Sequence, residues 1–453
     1  MAVADFGLER LDRCFQAVIP AVLATCSRDG EPNIIAVSYV HRIDEHRIAV
    51  SRQFFRKTHA NLAENPRARV VLTDPTTMEM WRLALRFDHE EATGPLFETM
   101  SARVEAVASM TGMSGVFRLQ AVDVFEVLAV EEVRGVFVRG AETAGEPLAV
   151  AIDSMTQLRV LRRIGDCIRV SEEASALLDA VLEILDDVLG FTHAMMLLVD
   201  ETGDRLYAIA SRGYSESGVG AEVRVGDGLI GTVAKTRKLI RIASLDRALR
   251  YGRAVRSSAA ADIGDEIPLP GLPDAESCVA IPLLAKSELI GVLAVESRKA
   301  LAYGERDEAF LEVVAGQLAL ALNDLVRRSD ESEVAPPKPH AVTAMTGPAR
   351  RVLFYPADDS VFVDGQYLIR NVPGRILWKL LRAYQMEGRT EFSNRELRLD
   401  PALGLPSLRD NLESRLILLR KRLAEKCPEI ALVSSARGRL TLEVRCAIEL
   451  VER

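Results

Sequence analysis

The chain has 453 residues, 48% hydrophobic and 27% charged, with a net charge of −8. That length implies about three domains, each with enough apolar residues for a packed core. No run of about 18 apolar residues occurs, which excludes a membrane-spanning helix, and the opening MAVADFGLERLDR lacks the apolar centre of a secretory leader, so a cytoplasmic location is expected.

The segment AVLATCSRDGEPNIIAVSYVHRIDEHRIAVSR reads as strand, Asp29-Gly30 turn, strand, short loop and strand. Ser51–Pro66, SRQFFRKTHANLAENP, then opens a helix, and RARVVLTDP is a further strand. At the strand-to-helix turn, Arg56, Lys57 and Thr58 bring two cations and a hydroxyl to the positive end of the helix. That combination favours a phosphate ester. The blander alternative is a solvated basic turn capped by Thr58.

The order of elements, with RKT…NLAENPRA, resembles the FMN-binding split-barrel family that includes pyridoxamine 5′-phosphate oxidase, over roughly Phe6 to Val133. The resemblance implies that Arg56 and Lys57 grip the flavin phosphate and that Val50 and Ser51 line the ring. It also places the strand from Asn33 to Ser38 against the ring edge. The oxidase's long C-terminal arm has no counterpart before Val133, so vitamin B6 oxidation is not expected. Relatives of this family bind deazaflavin or haem, which leaves the cofactor open among FMN, deazaflavin, haem and none. A haem ligand would come from His41, His46, His59 or His89, none of which shows a paired spacing. Surface or turn histidines are the expectation for all four.

Residues 1–133 are thus expected to form the barrel, and 134–157 a linker. Beyond it, MTQLRVLRRIGDCIRV and the following EEASALLDAVLEILDDVLG carry helical periodicity, at Leu158, Leu161 and Ile164 or Gly165, then at Leu178, Val181, Leu182 and Leu185. A strand, a turn at Glu201–Asp204, a second strand, a Gly-rich turn, a short helix, three strands and a closing helix follow. The leading helices, GDGLIGTVAKT (226–236), AIPL (280–283) and LIGVLAVES (289–297) together resemble a GAF domain, over residues 158–328. That resemblance implies an α/β sandwich with a small-molecule effector and leaves the ligand unnamed. The Asn-Lys…Phe…Asp-Glu signature of cyclic-nucleotide binders is absent. Arg247, Arg250, Tyr251, Arg253 and Arg256 offer charge for an anion, or form a solvated loop. In GAF proteins the flanking helices often pair with a second copy, so the apolar stripe Leu311, Val314, Leu318, Leu322 and Leu325 implies a homodimer or, more simply, packs on its own sheet. The six cysteines (14, 26, 167, 278, 427, 446) form no C-x-x-C pair, which excludes a zinc-knuckle spacing and a disulfide framework.

Residues 329–349, polar and then proline-rich, read as a semi-stiff spacer. From Arg350 onward, nineteen Lys and Arg oppose fourteen Asp and Glu, a net of +5, which leaves −13 for the rest. Residues 350–453 begin with short strands around the Asp364-Gly365 turn. Three helices follow: one burying Ile376, Leu377, Leu380 and Leu381, one opened by a Ser393–Glu396 capping box, and one over about Leu408 to Lys426 with Leu408, Leu412, Leu416, Leu419 and Leu423 on a face. IALVSSARGRLTLEV closes the chain as a hairpin. This order, with VFVDG…NVPGRILWKLL, LLRKRL and RGRLTL, resembles the winged-helix effector domain of OmpR/PhoB-type response regulators. The resemblance implies DNA contact at a promoter region, with Arg409, Asn411, Ser414 and Arg415 in the major groove, Lys421 and Arg422 beside them, and Arg437 and Arg439 on the wing. One departure stands out: Ile417 and Leu418 make the third helix apolar on more than one face, the mark of a protein-contact surface.

The expected fold is therefore multidomain α/β: an antiparallel split barrel, a GAF sandwich and a winged helix. The preferred function is a one-component transcriptional regulator. A flavin-dependent oxidoreductase with regulatory domains, and a non-catalytic interaction scaffold, are the alternatives.

Overall fold

The computed structural model describes residues 7–53, 56–110, 118–133, 153–171, 173–200, 202–245, 269–331, 347–405, 412–436 and 438–453. In the first domain, strands β1 (Ala21–Cys26), β2 (Pro32–Val37), β3 (Val40–Arg42), β4 (Arg47–Arg52), β5 (Arg67–Thr73), β6 (Met80–Glu91) and β7 (Ala121–Val133) form one antiparallel sheet ordered β2-β1-β5-β6-β7-β4-β3. Only Ser38 and Tyr39 join the two edge strands β2 and β3, so the sheet must curl until its edges meet. Along β1 and β5 burial alternates with a period of two, the signature of strands with one face inward. Leu23, Ile48, Val50, Val70, Leu83 and Phe125 fill the interior, and a 3₁₀ helix, Leu8–Gln16, adds Leu8, Leu11 and Phe15. Helix α1 (Arg56–Glu64) links β4 to β5, and helix α2 (Pro95–Met110) lies between β6 and β7.

The second domain is a six-stranded antiparallel sheet, ordered β10-β9-β8-β13-β12-β11, from β8 (His193–Val199), β9 (Arg205–Arg212), β10 (Glu222–Arg224), β11 (Ile240–Ile242), β12 (Ser277–Ala285) and β13 (Glu288–Ser297). Its helices are α3 (Ser154–Val170), α4 (Ala174–Leu189), α5 (Gly228–Thr236) and α6 (Glu305–Glu331). Adjacent residues of the central strand β13 serve opposite faces. Leu293 and Val295 meet the cluster that includes Leu178, Leu182, Leu311, Val314 and Leu318, whereas Val292 and Ala294 meet Ile230 and Val233 of α5. The stripe Leu311, Val314, Leu318 and Leu322 packs on its own domain's core. In α3 Val160 and Ile164 are buried and Leu161 is half-buried against the same core, while Leu158 is 57% exposed, so the expected stripe holds at Leu161 and Ile164 and fails at Leu158.

The second face of this sheet is completed by the barrel. Ala102 and Ala106 of α2 belong to the same buried cluster as Leu197, Ala208, Ile230, Ala280 and Val292. At the end of α2 the Ser109 hydroxyl accepts from the Gly228 N–H at 2.8 Å, satisfying one of the orphan donors at the start of α5. Lys235 pairs with Glu105 and Lys238 with Glu98 along the same seam.

The third region holds a sheet ordered β16-β15-β14-β20, from β14 (Gly347–Tyr355), β15 (Ser360–Val363), β16 (Gln366–Ile369) and β20 (Cys446–Glu452), with β20 parallel to β14. Between them come α7 (Asn371–Glu387), β17 (Glu391–Ser393), α8 (Asn394–Leu399), α9 (Leu412–Lys426), β18 (Ile430–Ala436) and β19 (Arg439–Val444). Strand β17 joins the β18–β19 hairpin as a three-stranded sheet. Asp364 and Gly365 both take positive φ, 51° and 81°, as a tight two-residue hairpin turn requires. Ser393 and Glu396 make both bonds of the capping box that opens α8. Leu408 lies outside the described residues; Leu412, Leu416, Leu419 and Leu423 of α9 are buried.

Candidate functional site

The basic turn predicted from sequence sits at the start of α1, directly after β4. Thr58 is buried, and its Oγ1 accepts from Asn33 Nδ2 at 2.9 Å; Asn61 Nδ2 donates to Thr25 Oγ1 at 3.2 Å. These bonds tie the β1–β2 hairpin to α1, so Asn33 and Thr58 brace the turn. Lys57 pairs with Glu31 at 2.8 Å, and its ammonium holds the Glu31 carboxyl below the usual glutamate range. Arg56 is exposed and has no ion-pair partner among the described residues. Ser51 is buried, and its hydroxyl has no hydrogen-bond partner among the described residues. A basic pair at a helix start with an orphan buried hydroxyl at the adjoining strand end fits a phosphorylated cofactor.

One expectation about this site changes. Val50 is fully buried in the barrel interior, because its strand position faces inward, so its side chain cannot line a ring outside. Ser38 is exposed at the bend between β2 and β3. Among the histidines, His41 contacts the Tyr39 hydroxyl at 3.1 Å, and burial lowers it to about 4. His46, His59 and His89 are exposed.

Sequence reading missed a charged cluster at the end of β4. Arg52 donates to Glu90 at 2.6 Å, lies 2.5 Å from His59 Nδ1, and is 3.6 Å from the fully buried carboxylate of Asp123. His59, Glu90 and Asp123 lie close enough to gather a metal ion, but the Arg52 guanidinium already bonds Glu90 and His59 and lies 3.6 Å from Asp123. The available signal was a carboxylate inside the apolar run AVDVFEVLAV. Burial raises the Asp123 carboxyl above its ordinary value of 3.8, against the opposing pull of Arg52. A group raised in the folded state contributes its stability fully below its unfolded value and loses it as pH rises through the folded one. Asp123→Asn should therefore stabilise the barrel at neutral pH, and its advantage should vanish below the ordinary aspartate value. Thermal unfolding of both proteins across that pH window checks this; an unchanged difference at every pH would refute it.

In the second domain, Glu296 of β13 lies opposite Cys278 of β12, and Cys278 belongs to the α5 side of the sheet. Burial raises Glu296, whose Oε2 accepts from the Leu272 N–H at 2.9 Å. Burial, with Glu296 second, pushes the nearby Tyr214 phenol up; its ring meets His193 edge-on at 5.6 Å. A sheltered carboxylate beside a phenol suits a ligand that brings a cationic or hydrogen-bond-donating group. Arg247, Arg250, Tyr251, Arg253 and Arg256 lie outside the described residues. All six cysteines are free, and Cys14, Cys278, Cys427 and Cys446 are buried.

In the third region, Arg409, Asn411 and Arg437 lie outside the described residues. Arg439 is half-buried in β19. Arg415 and Arg422 are each 5% exposed, so neither stands on the open face expected of it. Arg422 donates to the Leu368 carbonyl at 2.9 Å. Arg415, with Ser414 and Leu418, borders a small cavity closed on its other side by Leu198, Val199, Asp200, Tyr207 and Ile209 of the second domain; desolvation lowers its guanidinium to about 10. Lys421 pairs with Asp179 of α4 at 2.6 Å. The physical cause is the second apolar face: Ile417 and Leu418 are 1% and 3% exposed, a covered surface as their sequence positions implied.

Residues 8–134 match the family model of pyridoxamine 5′-phosphate oxidase, and residues 171–323 match that of the GAF domain. The chain carries a pyridoxamine 5′-phosphate oxidase-like N-terminal domain and a GAF domain. Similar solved structures include the GAF domain from Acinetobacter phosphoenolpyruvate-protein phosphotransferase, 23% identical over 40% of this chain and 99% of that one, with a TM-score of 0.32. An FMN-binding protein from Syntrophomonas wolfei subsp. wolfei is 22% identical over 30% of this chain and 93% of its own, with a TM-score of 0.24. Free methionine-R-sulfoxide reductase from Neisseria meningitidis, in complex with its substrate, is 18% identical over 39% and 94%, with a TM-score of 0.31. No curated protein matches the chain. No described helix is long and apolar enough to cross a membrane.

Proposed function

We propose that the protein is a one-component regulator: its oxidase-like barrel holds FMN, its GAF domain takes a small effector, and its C-terminal region binds promoter DNA as a winged helix. The observation that carries the DNA part is the third region's plan, in which three helices precede a β18–β19 hairpin that β17 extends, in a segment of net charge +5. A basic segment of that kind supports phosphate contact. For FMN the support is the family match of residues 8–134 together with Arg56 and the Ser51 hydroxyl, neither of which has a partner among the described residues. FMN would supply the electron chemistry; the protein's part is to fix the phosphate through Arg56, Lys57 and the α1 N-terminus and to offer Ser51 as a hydrogen-bond donor. Deazaflavin would meet the same turn through its own phosphate. Support for a homodimer comes from the exposed apolar residues Met155 and Leu158 of α3 and Val313 and Leu320 of α6.

The match to an oxidase also favours a second reading, a flavin oxidoreductase regulated by the other domains, in which a reduced nicotinamide would be consumed on turnover. The first experiment is an absorbance spectrum of the purified protein, repeated on the supernatant after heating. Flavin bands released intact are the expected result, and the same sample should bind duplex DNA with an affinity that falls steeply as salt rises. A colourless protein that takes up no added FMN would end the flavin reading, and salt-insensitive behaviour toward DNA would end the other.

A further inference from the structure

Helix α9 presents no open face. From Leu412 to Leu423 every residue is buried or half-buried, and exposure begins only at Ala424. An amphipathic helix packed on its own domain leaves its polar side in water, so a second covering surface is at work. The GAF domain supplies it. Leu418, Ser414, Arg415 and Pro373 face Leu198, Tyr207 and Ile209 across one cavity, and the apolar cores of the two regions run together as a single cluster. Around the rim, Lys421 pairs with Asp179 at 2.6 Å, the Ser217 hydroxyl donates to Glu425 at 2.5 Å, and Arg370 pairs with Glu222 at 2.9 Å.

We infer that the GAF domain clamps α9 in a closed state that excludes DNA, and that release of α9 from β8, β9 and α4 is the regulated step. This rests on the winged-helix reading given above. In the closed state Arg415 and Lys421, which would meet phosphates, face the GAF domain, and a guanidinium sealed at 5% exposure cannot reach a DNA backbone; Arg422 is held within its own region by the Leu368 carbonyl and Glu425. The clamp is built to open. Its Lys421–Asp179 pair is partly solvated, Asp179 being 55% exposed, and such pairs hold only weakly, whereas Glu222 opposite Arg370 is 10% exposed. A ligand that favours one state shifts the balance by its difference in affinity for the two. Strand β9 joins the two ends of the device, because Tyr207 lies on the clamp and the strand leads out through Gly213 to Tyr214 beside Glu296.

The test alters the GAF side only, in the full chain. Asp179→Arg with Glu222→Lys replaces both cross-domain attractions by repulsions and leaves α9 intact; because Glu222 also pairs with Arg205 at 2.7 Å inside the GAF sheet, Arg205→Ala is measured beside it as the control for loss of that pair. Two readouts are taken: amide hydrogen exchange of α9, and anisotropy of a labelled mixed-sequence duplex about three helical turns long. Faster exchange in α9 with DNA affinity raised roughly tenfold or more, the size of an ordinary coupling, is the expected result. Faster exchange with DNA affinity equal to that of the unaltered chain would overturn the clamp and leave DNA binding standing. Faster exchange with no DNA binding by either protein would overturn the DNA reading itself. Should exchange not change, a lock decides: Ser217→Cys with Glu425→Cys, bridged by a short thiol-reversible cross-linker, with the treated parent chain as control. Loss of DNA binding on bridging, restored by dithiothreitol, supports the clamp; undiminished binding by the bridged protein rejects it.

Discussion

Alanine at both Arg56 and Lys57 should weaken FMN binding by roughly a hundredfold, read as quenching of flavin fluorescence. Hydrogen bonds from charged donors contribute about 1.5–3 kcal/mol each. Arg56 brings that in full, because no described residue competes for it. Lys57 brings less, since it must first give up Glu31. The sum is about 3 kcal/mol, or two decades in affinity. The apo chain should unfold at an unchanged temperature, because both side chains are exposed and the brace of Asn33, Thr58, Asn61 and Thr25 stays whole. Glu31→Gln should act the other way and tighten binding a few-fold by freeing Lys57. Unchanged affinity in the double variant would remove the flavin phosphate from this turn.

The largest stability effect should come from one methyl group in the GAF domain. Gly213 ends the β9 excursion at φ +84°, and a Cβ there would lie 1.8 Å from the Thr192 carbonyl oxygen. Gly213→Ala thus adds backbone strain of about 1–2 kcal/mol to overpacking of about 1–3 kcal/mol, and the blocking atom is backbone, which cannot rotate away. A total of about 3 kcal/mol should lower the melting temperature by roughly ten degrees. Gly165→Ala is the matched control. It lies inside α3 with no atom within 4 Å of an added Cβ, and should be neutral or slightly stabilising. Equal melting of the two variants would show that the β9 end relaxes freely.

Much of this architecture was legible in the sequence because local chemistry specifies it. The Asp364-Gly365 turn, the Ser393 capping box and the leucine face of α9 follow from dihedral preference, capping and helical period. The basic turn at Arg56 was legible for the same reason. What escaped is set by contacts distant in sequence. β7 begins with five consecutive buried residues, Ala121 to Phe125, and a strand buried on both sides shows no alternation to mark Asp123 as inward. Leu158 fell outside the buried stripe of α3 because Val160, with Leu161 and Ile164, meets a core that no local window contains. Arg415 and Arg422 read as exposed cations on a helical wheel; Arg422 is buried against the Leu368 carbonyl of its own region and Arg415 against the second domain. Ile417 and Leu418 were the one warning.

Helix α2 changes what counts as a separable part of this molecule. By sequence the barrel ends some twenty residues before α3, and an engineer would cut there to move the sensor into another regulator. Such a cut would strip Ala102 and Ala106 from the GAF sheet and leave the start of α5 without Ser109. The severed sensor would show bare apolar surface and self-associate, and its behaviour would describe the wound rather than the domain. The transplantable unit is barrel and GAF domain together.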